Sequence, residues 1–313
     1  MLPSPRIAAV ARDAILDWYG SRGRPLAFRR TTDPWAILVS EAMAQQTQAA
    51  RAAAYWERFM ARFPTSAAVA AASPADVLRA WQGLGYDRRA LALRRAAIAI
   101  ESEHGGQVPS TVEALLTLPG VGPYTARAVA ALAFGLPVGA VDVNVRRVLG
   151  RIAAGGSDGL GPAALQSLAD AAVPRDRPAE WTHAVMDIGA TLCKPRRPDC
   201  PSCPARAWCA FAVARVDDGR PGATPAAPAV RPIRKSAAPF ASTTRWLRGR
   251  ILDRLRAAPD GAWVELVGAI GTHEPAAVGA AVSRMAIDGL LELEPSAAQG
   301  TRAAPLRARL PLS

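Results

Sequence analysis

The feature that most constrains this chain is a group of four cysteines near position 200. Cys193, Cys200, Cys203 and Cys209 are the only cysteines in 313 residues, separated by six, two and five intervening positions. Four thiolates on so short a loop can converge on one inorganic centre. Structural zinc more usually takes two separated Cys-x-x-Cys pairs, so an all-cysteine iron–sulfur cluster fits the spacing better. Free or disulfide-bonded thiols are the alternative.

The charge of the chain favours a polyanionic partner. The formal net charge is +12, and all but two of the 38 basic residues are arginine. Nucleic acid and an anionic membrane surface both suit such an excess, but the chain lacks the clustered basic amphipathic helix typical of membrane binding. The N-terminus does not resemble a signal peptide, and no apolar run reaches the length of a membrane span. We therefore expect a soluble, intracellular protein of about two domains.

The pattern of apolar residues predicts a mainly α-helical region over residues 5 to 213. Asp33-Pro34 and Ser73-Pro74 are typical helix starts, a capping side chain followed by proline. Apolar residues recur at three- and four-residue spacing in five segments. These segments are Ile7–Tyr19, Trp35–Phe63, Ala75–Trp81, Leu91–Glu103 and Val112–Leu118.

The composition changes after the cysteines. Residues 215–242 are rich in Pro, Gly and Ala and predict a linker. Within residues 243–313, the segments TTRWLRGRILDRLRAA, ELVGAIG and EPAAVGAAVSRMAIDGL predict three helices, and LLELEP and LRARLPL predict a terminal hairpin. Such a module is winged-helix-like and can bind DNA. A helical packing or dimerisation appendage is the alternative.

The segment LPGVGPYTARAVAALAFG predicts two helices joined by a tight turn at Gly120, Val121 and Gly122. Glycines allow close backbone approach, and the amides at the start of the second helix form an anion site. A helix–hairpin–helix of this kind suits a DNA phosphate and reads no base sequence. An ordinary helix–helix turn is the alternative.

Two carboxylates are candidate catalytic groups. Glu41 lies in an apolar segment, DPWAILVSEAMAQQTQAA, in which Glu41, Gln45 and Gln48 share one predicted helix face. Burial would raise the pKa of Glu41 toward neutrality, as a general acid requires. A rim carboxylate paired with arginine is the alternative. Asp142, in VDVNVRRVLGR, follows an apolar stretch and could simply cap the next helix.

Together, these motifs resemble the endonuclease III superfamily of base-excision DNA glycosylases. Within it, SEAMAQQT, GLGYDRRA, LPGVGPYT, VDVNVRRV and MDIGATLC resemble the adenine DNA glycosylases of the MutY type. The resemblance covers about residues 10 to 212. It implies a mainly α, two-lobed fold: residues 1–30 and 136–214 as a lobe holding a 4Fe–4S cluster, and residues 31–135 as a six-helix barrel carrying the hairpin.

The resemblance also implies a role for each candidate residue. Glu41 matches the acid that protonates adenine N7, and Asp142 matches the carboxylate that stabilises the positive sugar. The other matched positions orient these groups (Tyr124, Asn144), line the adenine pocket (Arg24, Arg29), or fill and wedge the base stack (Gln46, Tyr86). Gln45 and the turn Gly120, Val121 and Gly122 complete the predicted DNA-binding set.

Tyr124 indicates a monofunctional enzyme. The bifunctional branch of the superfamily needs a lysine at this position to form a Schiff base, but the only lysines here are Lys194 and Lys235. We therefore predict no efficient AP-lyase activity. The alternatives are an oxidised-pyrimidine glycosylase, a thymine-mismatch glycosylase, or a non-catalytic iron–sulfur DNA-binding regulator.

The sequence departs from the family pattern at several positions. Phe28, Ala44, Asp87 and His183 replace the family's usual tryptophan, leucine, tyrosine, and glutamine or glutamate. Residues 243–313 do not resemble the MutT-like domain that many members use to recognise 8-oxoguanine. The expected partner is double-stranded DNA with an adenine mispair. We expect a cytoplasmic, nucleoid-associated bacterial monomer, for which the sequence specifies no repair-clamp or mismatch-repair partner.

Overall fold

The computed structural model describes residues 7–156, 159–217, 239–295 and 306–312. Most of the predicted linker 215–242 therefore lies outside the described residues. The helices are α1 (Ala9–Arg22), α2 (Pro34–Ala44), α3 (Ala49–Arg62), α4 (Ser66–Ala71), α5 (Pro74–Ala80), α6 (Arg88–Glu103), α7 (Val112–Thr117), α8 (Pro123–Phe134), α9 (Val143–Ala154), α10 (Pro162–Ala172), α11 (Pro178–Thr191), α12 (Ala210–Asp217), α13 (Thr244–Ala257) and α14 (Pro275–Ile287). The strands are β1 (Val264–Glu265), β2 (Glu292–Leu293) and β3 (Arg307–Arg309).

The chain divides into two compact units. The first comprises Met1–Glu41, Val108–Thr117 and Val121–Val230, and the second comprises Ala42–Gln107, Leu118–Gly120 and Arg231–Ser313. These boundaries differ from those of the predicted lobes, 1–30 with 136–214 and 31–135, so that assignment remains a prediction. The mainly α fold class is confirmed. No described helix is long and apolar enough to cross a membrane.

Helix α11 organises the core of the first unit. It packs against α1, α8 and α9, while α10 and α12 also pack on α9. Ile15, Leu149 and Ile188 are fully buried in this core. Gly189 permits the close approach of α9 and α11, because a Cβ there would lie 2.6 Å from the Cβ of Asn144. The turn of α11 that carries Asp187 is thus held firmly in place.

The predicted helix starts are confirmed. The Asp33 carboxylate accepts from the backbone N–H groups of Trp35 and Ala36 at 3.1 and 3.3 Å, and Pro34 begins α2. The Ser73 side chain likewise caps α5 by accepting from Asp76 N at 3.1 Å.

The segment Trp35–Phe63, which has a helical spacing of apolar residues throughout, forms two helices with a break between Ala44 and Ala49. Gln46 lies there with a left-handed φ of 55°. One Arg89 nitrogen donates to the carbonyls of Ala42 (2.8 Å), Met43 (3.1 Å) and Gln45 (2.5 Å). These carbonyls would otherwise accept along the helix, so the side chain of a distant residue ends α2. The predicted shared helix face of Glu41, Gln45 and Gln48 is therefore wrong.

The C-terminal module, residues 239–295 and 306–312 as described, contains two of the three predicted helices, α13 and α14. The predicted helix over ELVGAIG is wrong: Val264–Glu265 forms β1, and Gly268 and Gly271 have positive φ values of 78° and 60°, which interrupt a helix. The predicted terminal hairpin is confirmed by the antiparallel pairing of β2 with β3. Strand β3 also pairs with β1, giving a three-stranded sheet of order β1-β3-β2.

Candidate active site

Glu41 lies in the second half of α2, a helix whose other residues are almost all apolar. Its exposed fraction is only 7%. Burial raises the pKa of Glu41 to about 7. A hydrogen bond with Tyr124 lowers this pKa, the charge of Asp142 raises it, and the charge of Arg29 lowers it. A carboxyl with this pKa is protonated in about half of the molecules at neutral pH, which suits a proton donor.

Asp142 is the N-cap of α9. Its Oδ1 accepts from the backbone N–H groups of Asn144 at 2.9 Å and Val145 at 2.7 Å. Its Oδ2 accepts from Asn144 Nδ2, also at 2.9 Å. The capping interpretation is therefore confirmed, and it fixes both oxygens of the carboxyl group in one orientation. A fixed carboxylate close enough to influence Glu41 can also stabilise a positive charge on a substrate.

Tyr124 follows Pro123 in the first turn of α8. Burial raises its pKa well above the ordinary value, and the nearby charges of Glu41 and Asp142 raise it further. Tyr124 therefore remains a neutral phenol that can donate a hydrogen bond. Its hydroxyl also lies 3.8 Å from the sulfur of Met186 on α11.

Arg24 and Arg29, both predicted to line a base pocket, converge on one buried aspartate. Two nitrogens of Arg29 donate to the two carboxylate oxygens of Asp187 at 2.7 Å each. Arg24 donates to the same carboxylate through its backbone N–H at 2.8 Å and its Nε at 2.7 Å. The Asp187 side chain is fully buried, and hydrogen bonds and charge from Arg29 hold its pKa below the usual value against the effect of burial.

Tyr19 and His183 extend this cluster. Their rings stack at 6.2 Å, and the guanidinium of Arg29 lies 5.8 Å from the Tyr19 ring centre. Burial and the charge of Arg29 lower the pKa of His183 to about 3, so its ring is neutral at neutral pH. Arg29 Nε is buried and has no hydrogen-bond partner among the described residues. A neutral ring and an unused donor are suitable contacts for a nucleobase.

Sequence reasoning missed three of these contributors: Asp187, Tyr19 and Arg147. Asp187 had a detectable signal, an acid in the otherwise apolar second half of α11. Arg147 donates to Asn144 Oδ1 at 2.8 Å and to the carbonyl of Cys193 at 2.6 Å. It therefore links the helix capped by Asp142 to the start of the cysteine loop. Only its spacing from Asp142 could have indicated this role.

The four cysteines line one small, largely apolar cavity in the first unit. Burial raises the pKa of the Cys203 thiol to about 11, with further increases from the other three cysteines. Arg151, itself buried on α9, donates to Cys193 Sγ at 3.3 Å and to the carbonyl of Lys194 at 2.9 Å. Four thiols gathered in this way need a positive centre to become thiolates together.

Among the described residues, no three His, Cys, Asp or Glu side chains are close enough to hold a single metal ion. A cluster with several irons gives each thiolate its own iron and so spreads the sulfurs around a larger centre. The shared cavity and the all-sulfur donor set fit that kind of group.

Gln45, Gln46 and Tyr86, which are also predicted to bind DNA, belong to the second unit. Gln46 and Tyr86 are exposed, and they are the non-glycine residues with left-handed φ values in the described chain, 55° and 50°. Arg89 braces both loops: besides the carbonyls before Gln46, it donates to the Gly85 carbonyl at 3.0 Å. Strained backbone retained in this way is typical of functional loops.

The residues of the glycine turn are assigned to different units. In the second unit, Gly120 has a φ of 81°, and a Cβ there would lie 2.7 Å from the Cβ of Ala92. In the first unit, Val121 precedes Gly122, the N-cap of α8, and no atom lies within 4 Å of a Cβ built at Gly122. The N-terminus of α8 thus begins next to open space, and the binding of a phosphate there remains a prediction.

Comparison with known proteins identifies the family of this chain. Residues 39–168 match the family model of the HhH-GPD superfamily base excision DNA repair proteins. An adenine DNA glycosylase of Mycobacterium tuberculosis (strain CDC 1551 / Oshkosh) is 44% identical over 265 residues, covering 82% of this chain and 83% of that protein. A thymine/uracil-DNA glycosylase of Methanothermobacter thermautotrophicus is 30% identical over 200 residues, covering 63% and 90%.

The solved structure of a thermostable thymine-DNA glycosylase superposes with a TM-score of 0.62 at 30% identity, covering 65% of this chain and 95% of that one. The superfamily match and the fold thus define a helix–hairpin–helix base-excision repair protein. Within that superfamily, the chain belongs to the adenine DNA glycosylases. Its identity to the mycobacterial adenine DNA glycosylase is higher than its identity to the thymine/uracil-DNA glycosylase, and that similarity extends over most of both sequences.

Proposed function

We propose that this protein hydrolyses the N-glycosidic bond of adenine mispaired with 8-oxoguanine or guanine in double-stranded DNA. The observation that carries the proposal is the pair formed by Glu41, a buried carboxyl with a pKa of about 7, and Asp142, a fixed carboxylate that influences it. Two carboxyl groups with separate roles are the arrangement used for glycoside hydrolysis. Membership of the adenine DNA glycosylases supports adenine as the base removed.

The proposed reaction assigns one task to each group. Glu41 donates its proton to N7 of adenine, and the bond between the sugar C1′ and N9 breaks with its electron pair moving to the base. The Asp142 carboxylate stabilises the positive sugar and forms a transient bond to C1′. Water then attacks C1′, the bond to Asp142 breaks, and the water proton returns to Glu41. Tyr124 and Asn144 hold the two carboxyl groups in position.

Arg24, Arg29 and His183 are proposed to recognise the extruded base. Asp187 fixes both guanidinium groups, and Arg29 Nε remains as an unused donor among the described residues. The neutral ring of His183 can stack on the base or donate to it without placing a cation beside the proton donor. Gln46 and Tyr86 are proposed to fill the stack, and Gly120, Val121 and Gly122 to bind a phosphate.

The proposed enzyme is monofunctional. Tyr124 stands where a Schiff-base lysine would be required, and Lys194, in the cysteine loop, is the lysine of the described chain. Without a reactive amine, the enzyme leaves an abasic site and does not cut the strand. Borohydride should therefore trap no covalent enzyme–DNA complex, and efficient trapping would contradict this part of the proposal.

We also propose that Cys193, Cys200, Cys203 and Cys209 hold a 4Fe–4S cluster whose role is to order the loop between α11 and α12. The purified protein should contain about four iron atoms and about four acid-labile sulfides. Cys203→Ser should lower both contents. Stoichiometric zinc in place of iron and sulfide would contradict the assignment.

The test of the activity is single-turnover base release from duplexes that differ in one base pair. Adenine opposite 8-oxoguanine or guanine should give alkali-dependent scission of the adenine strand, and adenine opposite thymine should not. Glu41→Gln and Asp142→Asn should each abolish release, since both keep the size of the side chain. A duplex with thymine opposite guanine tests the activity named for the more distant relatives. Release of thymine in place of adenine would overturn the proposal.

A further inference from the structure

A large groove in the second unit lies between the C-terminal module and the loop that carries Tyr86. It has a volume of about 1030 Å³, and its lining includes Gln46, Tyr86 and much of α13. Eight arginines and three aspartates line it, which leaves an excess of five positive charges. Both residues with a strained left-handed backbone face the same groove. The groove is therefore a specialised, basic surface.

The three aspartates of the groove are already occupied by arginines. Asp87 pairs with Arg256 at 2.5 Å, Asp253 with Arg250 at 2.6 Å, and Asp288 with Arg248 at 2.7 Å. The remaining positive charge, to which Arg51 and Arg245 contribute exposed side chains, is available to an anion from outside. A continuous polyanion such as a phosphodiester backbone matches an extended groove of this sign better than a single small anion does.

Arg245 connects the module directly to the Tyr86 loop. Its guanidinium carbon lies 4.3 Å from the centre of the Tyr86 ring, and its Nη1 donates to the Tyr86 hydroxyl at 3.0 Å. The Tyr86 side chain is nevertheless 41% exposed. Arg245 thus restricts the ring by stacking and by one hydrogen bond while leaving both groups accessible from the groove.

Arg256 and Asp87 hold α13 beside the loop. The side chains of this pair are only 5% and 13% exposed, and Arg256 Nε also donates to the carbonyl of Leu78 at 3.1 Å on α5. Arg79 of α5 in turn donates to the carbonyl of Ala258 at 3.2 Å. Arg245 is therefore presented from a rigid element, as a recognition residue must be.

We propose that α13 forms one wall of a DNA-binding groove, in which Arg245 contacts the DNA backbone and positions Tyr86 for insertion into the base stack. This inference rests on the proposed function for the identity of the nucleic acid. It assigns the C-terminal module a part in substrate engagement, through a positioning residue outside residues 39–168, which match the superfamily model.

The first test measures DNA affinity and its salt dependence in the full-length protein. Binding to an adenine·8-oxoguanine duplex is measured in a Glu41→Gln background, so that no base is lost during the titration. Arg245→Ala should weaken binding about tenfold and reduce the slope of log affinity against log salt by about one. Arg254→Ala is the matched control: Arg254 is an exposed arginine of the same helix that does not line the groove.

The two variants remove the same charge, so a non-specific electrostatic effect would be equal in both. Equal affinities and equal slopes would overturn the DNA-contact part of the inference. Thermal unfolding of each variant identifies any folding defect, and Arg245→Lys provides a second comparison. Lysine keeps the phosphate contact as a point charge but lacks the planar stack, so the salt slope should remain near that of the parent.

The second test addresses the positioning of Tyr86 with a double-mutant cycle. Arg245→Ala, Tyr86→Ala and the double variant are compared for the single-turnover rate of base release at saturating enzyme. If Arg245 acts through Tyr86, its removal should slow release in the parent and have little further effect after Tyr86→Ala. Additive effects would overturn the positioning part. Failure of the proposed function is distinguishable, because the parent itself would then release no adenine while binding remained measurable.

Discussion

At the scale of single residues, Glu41 combines reactivity with a stability cost. Its pKa is about 7 in the folded protein and about 4.5 when exposed. Burying the ionised carboxylate lowers the free energy of unfolding. This loss is absent below the pKa of the unfolded chain, grows between the two pKa values, and is complete above the pKa of the folded protein. The reason is that the native state retains the proton to a higher pH than the unfolded chain does. Activity carried by the protonated acid should fall as the pH rises through 7.

Glu41→Gln should therefore stabilise the fold while abolishing base release. Above pH 7 we expect an increase of roughly 1–3 kcal/mol in the free energy of unfolding, since glutamine needs no proton and can still hydrogen-bond with Tyr124. Near pH 4.5 the gain should disappear. Urea unfolding of both proteins at pH 5 and pH 8 measures the difference. An equal difference at the two pH values would show that ionisation of Glu41 is not its cause.

Asp187 is the residue on which the two pocket arginines depend. Asp187→Asn should cost roughly 3–5 kcal/mol of unfolding free energy, because it leaves the mostly buried Arg29 without a counter-charge. Glu180→Gln on the same helix is the matched control, since the Arg177–Glu180 pair is exposed and should contribute less than about 1 kcal/mol. Chemical unfolding of both variants tests the contrast. A small effect of Asp187→Asn would mean that solvent reaches Arg29.

At the scale of elements, the glycine turn provides a paired test. Gly120→Ala adds a Cβ 2.7 Å from Ala92 at a φ of 81°, whereas Gly122→Ala meets no atom within 4 Å at a φ of −95°. The first change should cost roughly 1–3 kcal/mol and the second less than about 0.5 kcal/mol. Thermal unfolding measures both. Similar losses would indicate that the close approach to Ala92 can relax.

The sequence predicted those elements whose signals are local. Asp33-Pro34 and Ser73-Pro74 mark the starts of α2 and α5 because a cap and a proline act on the next few residues. The end of α2 depends on Arg89, which lies 44 positions after Gln45, and periodicity does not detect so distant a partner. The segment Glu265–Gly271 kept a helical spacing of apolar residues, but its two glycines adopt positive φ values and part of it joins a sheet.

The candidate site was likewise predictable only where its signals are local. Motif resemblance located Glu41, Tyr124 and Asp142, which the structure brings close enough for the charge of Asp142 to raise the pKa values of Glu41 and Tyr124. The common anchor of Arg24 and Arg29 was not predictable, because Asp187 is more than 150 positions away and its polarity alone does not identify its partners. Tertiary contacts, more than local pattern, therefore decide how the pocket is held.

At the scale of the whole molecule, the departure at Asp87 is explained by the C-terminal module. The family's usual tyrosine is an aspartate here, and that aspartate pairs with the almost fully buried Arg256 of α13. Asp87→Asn should loosen the module, because it removes the closer and less exposed of the two carboxylates that pair with Arg256 and leaves only Asp253, at 3.6 Å. We expect a loss of roughly 2–4 kcal/mol.

Hydrogen exchange in α13 and α5 measures this loosening. Asp260→Asn is the control, since Asp260 pairs with Arg79 from a side chain that is 73% exposed. Faster exchange in the Asp87 variant alone is the expected outcome. Equal protection in both variants would indicate that apolar contacts suffice to hold the module.

The double use of Asp142 has a consequence for how its variants are interpreted. One carboxyl group begins α9 and also serves the proposed chemistry, while Arg147 of that helix reaches the cysteine loop. A substitution such as Asp142→Ala therefore removes the charge and the cap together, so cells carrying it would lose protein abundance along with repair. Asparagine retains the cap and removes only the charge. A substitution at this position would therefore be selected against for two separate reasons, the loss of the helix cap and the loss of the charge.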